Sequence, residues 1–187
     1  MNNHAKISSV KINLKSVVTV FLILMSLSLR AQEKNLVVVD PQFSEKTTLF
    51  DQLPEDVVML ELDTTSNPWK RMREVLVSDT SITAIHLFSE ASYNAIQLGD
   101  HMYDMDKVKS EFELSMLEGI YAGTNYQLLV YNCNLGSNTE GLALLKQIGS
   151  MAYFNVAVPT NCQSIFDPNL TFDHTTLNQS APKSIFK

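Results

Sequence analysis

Two cysteines, Cys133 and Cys162, and four histidines, His4, His86, His101 and His174, are the groups in this sequence with the most distinctive chemistry. A cysteine attacks as its thiolate. A nearby imidazole takes the thiol proton and later returns it to the leaving group, so a Cys–His pair assembled by the fold would cleave peptide or related acyl bonds. The same cysteines have two other fates, a disulfide or buried free thiols, and the residues alone leave all three open. Asp100, His101, Asp104 and Asp106 form the densest polar cluster. Its spacing matches no metal-ligand motif, so it reads as a solvated loop; neither a metal nor another cofactor is expected.

These groups must be held by the elements between them. Leu36-Val37-Val38-Val39, stopped by Asp40-Pro41, is a β-branched run that reads as a strand buried on both faces. Val57–Leu62, Ala84–Ser89, Gln127–Cys133 and Phe154–Val158 read as four further strands. Between them lie helical spacings: Ser44–Leu53, with Ser44 as N-cap and Phe43, Thr47, Phe50 and Leu53 in register; Pro68–Val77, with Trp69, Met72, Val75 and Leu76 inward; Met105–Gly119, with Val108, Phe112, Met116 and Leu117 as its stripe; and Thr139–Ile148. Residues 95–103 read as a small hairpin. Strands alternating with helices predict an α/β fold, a mostly parallel sheet of five to six strands with helices on both faces. In such sheets ligands sit outside the carboxyl ends of the strands, which places Asp40, Ser89, Glu90, Cys133 and Asn134 at the candidate site, with Asp100 nearby. If the strands ending near Cys133 and Cys162 are neighbours, a bridge between them is sterically open. The tail, residues 161–187, has no clear period and reads as loop or a final edge strand.

The first 31 residues differ from the rest. Lys6, Lys11 and Lys15 precede an apolar run from Ser16 to Met25, and Ser26, Ser28 and Ala31 supply small residues. The run has about ten residues where a bilayer-spanning helix needs about 20. It fits a signal peptide cleaved after Ala31, with an uncleaved anchor as the alternative. Without residues 1–31, ten Lys and Arg stand against twenty Asp and Glu, a formal charge of −10. Such a surface repels nucleic acid and anionic headgroups, so neither partner class is expected, nor membrane association after cleavage. The expected location is the periplasm or the cell surface, and the oxidising compartment favours cysteine pairing. Asn169-Leu170-Thr171 and Asn178-Gln179-Ser180 match the glycosylation triplet, which has meaning only in a eukaryotic secretory pathway.

Two segments carry a family resemblance. His86-Leu87-Phe88-Ser89-Glu90-Ala91 is followed by Ile96-Gln97-Leu98-Gly99, and Leu128 to Gly136, with Tyr131-Asn132-Cys133 at its centre, is followed by Glu140-Gly141. Their order and spacing resemble the bacterial extracytoplasmic domains of unknown function 4347, over about residues 35–160. The resemblance implies a caspase-like three-layer sandwich with a His–Cys dyad at the ends of neighbouring strands. Carried over by residue, the nucleophile position is Cys133 and the base position is Glu90. Ala91 stands where the family has the following glycine, and Asn132 where it tends to have Gly. A carboxylate beside a thiol disfavours the thiolate and is a poor acid for expelling an amine. His86 lies four residues earlier, about 13 Å along a strand at about 3.3 Å per residue, which leaves His101 or His174 as a relocated base. The sequence therefore points to an exported, non-catalytic binding or structural domain with an unidentified protein or cell-envelope partner. A cysteine hydrolase using Cys133 and a relocated base is the alternative.

Overall fold

The computed structural model describes residues 34–118, 126–177 and 183–186. The segment 1–31 read as an export signal and the Asn178 triplet lie outside the described residues.

The elements follow in the order β1 (Lys34–Val39), α1 (Lys46–Gln52), β2 (Val58–Glu61), α2 (Pro68–Ser78), β3 (Ile82–Phe88), a hairpin of β4 (Ile96–Leu98) and β5 (His101–Tyr103), α3 (Met105–Ser110), α4 (Phe112–Ser115), β6 (Gln127–Val130), α5 (Cys133–Gly136), α6 (Thr139–Ala152), β7 (Asn155–Val158) and β8 (His174–Thr175). The main sheet has six strands in the order β2-β1-β3-β6-β7-β8. The first five run parallel, and β8 closes one edge antiparallel to β7, with Val158 opposite His174. The fold is thus a mixed α/β sandwich around a mostly parallel sheet.

The two faces of the sheet are covered differently. Leu36, Val38, Ile85, Leu87, Leu128 and Val130 point to one side, where α2, α3, α4 and α6 bury Met72, Val108, Leu114 and Leu145 against them. On that side Trp69 meets Tyr103 edge-on, ring centroids 5.9 Å apart. Val37, Val39, Phe88, Leu129 and Tyr131 point to the other side, where α1 contributes Leu49 and the C-terminal tail contributes Ile165, Leu170, Phe172, Ile185 and Phe186. A patternless tail can cover a sheet because a few large apolar groups suffice to exclude water there. Phe172 and Phe186 both pack on the Tyr131 ring, at 5.0 and 5.7 Å, within the favoured range for aromatic pairs.

Four local expectations differ from the structure. The helix expected over 105–119 breaks at Glu111, whose carboxylate turns inward to accept from Asn67 Nδ2, the Tyr103 hydroxyl and the Glu113 N–H. The break rotates Phe112 out to 68% exposure and buries Leu114 in its place. Helix α1 starts at Lys46 with no side-chain cap. Its buried residue is Leu49, whereas Thr47 and Phe50 face outward, and Ser44 bonds Glu90 instead of capping. Strand β6 ends at Val130, not Cys133, since the Asn132 side chain accepts the N–H groups of Asn134 and Leu135 and starts α5.

Candidate functional site

Strand order reverses between β1 and β3, the place where open α/β sheets leave a crevice for ligands. Here the chain fills it. The Asp40 carboxylate, fully buried, accepts the Gln42 N–H at 2.8 Å and the Gly99 N–H at 2.6 Å. The Gly99 carbonyl in turn accepts from Gln42 Nε2 and Gln97 Nε2. The hairpin turn is thereby fastened onto the end of β1. Gly99 adopts φ +66°, and a Cβ there would lie 2.9 Å from the Asp63 carbonyl oxygen. Burial raises the Asp40 carboxyl above its ordinary value, against the lowering effect of its two backbone donors. Asp100, the next residue in the turn, is exposed and lies 3.1 Å from His101 Nε2.

At the end of β3, Ser89 and Glu90 part company. Glu90 turns toward the β1–α1 connection and accepts both the N–H and the hydroxyl of Ser44, at 3.0 and 2.6 Å. Ser89 stays buried, its hydroxyl without a partner among the described residues, and its carbonyl faces Asn132 Nδ2 at 3.4 Å. That contact brings the ends of β3 and β6 together. Cys133, one residue on, turns the other way and is joined to Cys162, with the two Cα atoms 5.5 Å apart. No free cysteine is present. Asn134 is exposed at the start of α5, where its carbonyl accepts from Ser137 and Asn138.

None of the three described histidines lies beside Cys133. His86 is buried opposite Leu129, four residues before Cys133. Its Nδ1 meets the Tyr131 hydroxyl at 2.9 Å, and that hydroxyl accepts the Ile185 N–H at 2.8 Å. Burial pushes Tyr131 up to about 12 and His86 down to about 4. A protonated phenol therefore faces a neutral imidazole. His101 sits in the hairpin beside Asp100, and His174 lies in β8 beyond β7. Asp104 caps α3 by accepting from Lys107 N–H. Among the described residues no three of His, Cys, Asp and Glu are grouped as a metal ion would require, and no helix is long and apolar enough to cross a membrane.

In this state Cys133 carries no thiolate, and the Glu90 carboxylate is engaged by Ser44. A closed, disulfide-bridged strand-end site on a mostly parallel α/β sandwich is the class these features define. The chain belongs to the family described as domain of unknown function 4347, whose model matches residues 36–163. No curated protein and no solved structure matches it.

The matched region contains both cysteines and stops before the part of the tail that covers the sheet. Sequence reading missed three participants: Tyr131, Ser44 and Gly99. A tyrosine ending a β-branched strand next to an Asn cap, and a glycine at a hairpin turn, are the signals that could have found two of them. Ser44 looked like a cap because it precedes a helical spacing.

Proposed function

We propose that this chain is an exported, non-catalytic domain that binds or scaffolds at the cell envelope, built on a caspase-like sandwich whose cysteine site is closed. The observation that carries the reading is the bond between Cys133 and Cys162. It occupies the only sulfur at the nucleophile position. Glu90, at the position where the family resemblance puts the imidazole base, is held by Ser44. The basic, apolar and small-residue sequence of positions 1–31 supports export, and an oxidising compartment is where such a bridge persists. The charge of −10 beyond residue 31 favours a cationic or neutral protein or envelope partner over nucleic acid.

The deciding experiment is peptide hydrolysis by oxidised protein, by reduced protein and by Cys133→Ala. All three are expected to be inactive. Turnover by reduced protein that disappears in Cys133→Ala would overturn the non-catalytic reading. Mass measurement of the exported protein is expected to show a chain beginning at Gln32 with two fewer hydrogens than the dithiol.

A further inference from the structure

Strand β2 ends the sheet on the side away from β8 and, among the described residues, pairs only with β1. In a parallel pair, both backbone groups of one residue point to the same neighbour and those of the next residue point away. The Leu62 N–H bonds the Val39 carbonyl, so Leu60 and Val58, of the same parity, face β1. Met59 and Glu61 turn their N–H and C=O groups outward, where the sheet has no further strand among the described residues. Edge strands are ordinarily shielded by a proline, a bulge or an outward lysine. The β1–β2 register runs without a shift, Lys46 is drawn into an ion pair with Glu61, and Met59 is 43% exposed.

Beside this edge lies a groove of about 430 Å³ lined by Phe50, Leu53, Pro54, Glu55, Val57 and Met59. Phe50, turned out of the core by the start of α1, is 44% exposed at its rim. An open strand edge next to an apolar groove is the combination used in strand addition: main-chain hydrogen bonds hold the guest, and the groove takes its alternate side chains. Charge selects the guest. Asp51, Glu55 and Asp56 are exposed along this segment with no base among them, whereas Glu61 is already paired with Lys46. A second copy in a two-fold arrangement would set these acids against themselves.

We propose that β2 and its groove take an extended segment of a partner protein whose groove-facing positions are apolar and are flanked on the same face by Lys or Arg. This surface is separated from β6 by β1 and β3, so the inference holds whichever way the chemistry of Cys133 is decided. The test uses an eight-residue peptide, Lys-Thr-Val-Thr-Val-Thr-Lys-Thr, which puts valines and lysines on one face, with the oxidised, folded domain. Binding is expected to shift the backbone amides of Met59 and Glu61. N-methylation along one edge of the peptide is expected to weaken it at least tenfold, and methylation along the other edge to leave it unchanged. Replacing the lysines by glutamate, or using the Glu55→Lys/Asp56→Lys protein, is expected to cost at least tenfold. Three results would overturn the proposal: no binding at millimolar peptide, equal tolerance of methylation on both edges, or amide changes away from β2. Self-association that Met59→Asp abolishes would assign the edge to a second copy and overturn it equally.

Discussion

The hydroxyl of Tyr131 accepts the backbone N–H of Ile185, 54 residues later in the chain, at 2.8 Å. The same oxygen meets His86 Nδ1, so one phenol ties the C-terminal tail to β3 from the end of β6. Tyr131→Phe keeps the ring, with its contacts to Phe88, Phe172 and Phe186, but leaves a buried imidazole nitrogen and a buried amide unpaired. A loss of about 1–3 kcal/mol is expected by urea denaturation, the range for stranded buried polar groups. Ending the chain after Gln163 removes Ile165, Leu170, Phe172, Ile185 and Phe186 from the same face. That shortened chain is expected to lose cooperative unfolding, since Phe88 and Tyr131 become uncovered.

His86 also sets a pH dependence. Its folded-state value of about 4 lies below the ordinary 6.5, so between these values the unfolded chain binds the extra proton. Stability then rises with pH across that window and is lost as pH falls from 6.5 toward 4, by about 3 kcal/mol in full. The Asp40 carboxyl, raised by burial, acts in the opposite sense and favours the folded state as acid is added. Denaturation midpoints at pH 7 and pH 4.5 in wild type and His86→Gln separate the two. The variant is expected to lose most of the wild-type decline.

The bridge between Cys133 and Cys162 closes a loop with a sequence separation of 29. Loop-closure entropy assigns such a link about 3–4 kcal/mol. Cys133→Ala, Cys162→Ala and the double variant are each expected to fall by that amount, the double no further than either single. Wild type in reductant should match them. A double variant much less stable than both singles would mean that the sulfurs act through packing rather than through their bond.

Gly99 is required by conformation and by space. Its φ of +66° is strained for any side chain, and a Cβ would press on the Asp63 carbonyl oxygen at 2.9 Å. Gly99→Ala is expected to cost about 1–3 kcal/mol. Because the Gly99 N–H is fastened to Asp40, the damage should concentrate at the hairpin, read as faster amide exchange at Gln97 and Leu98 than at Leu129.

The centre of the sheet was legible in the sequence because its inner strands are buried on both faces, so their apolar runs are continuous: Leu36–Val39, Leu128–Val130 and Val156–Val158 are almost fully buried. The helices were legible where one stripe faces the core, as with Trp69, Met72 and Leu76. Sequence periodicity failed where a polar side chain overrode it. Glu111 breaks a helix by turning inward, and Asn132 ends a strand by capping the next turn. At the strand ends, types and positions were readable but directions were not. Asp40 reads as a ligand-facing carboxylate and instead holds Gly99, because an antiparallel hairpin far along the chain returns to the same crevice. The tail carries no period, since it covers the sheet with isolated side chains rather than with a repeating face.

Direction also decides what a restored imidazole would do. Glu90 leaves the end of β3 toward Ser44, on the β1 side, whereas Cys133 leaves the end of β6 toward Cys162, which follows β7. The two side chains diverge along the sheet edge, so residue type at position 90 has little hold on the sulfur. Glu90→His is therefore expected to stay inactive on peptides, with or without reductant. In reduced protein, the alkylation rate of Cys133 in Glu90→His and Glu90→Gln is expected within about threefold of wild type, far short of the acceleration an adjacent imidazole gives a thiol. The measurable cost lies elsewhere: losing the Ser44 contacts should lower stability by about 1 kcal/mol. A tenfold faster alkylation in Glu90→His would show that the two positions do face each other in the reduced state, and that the bridge, rather than the lost base, is what keeps the site closed.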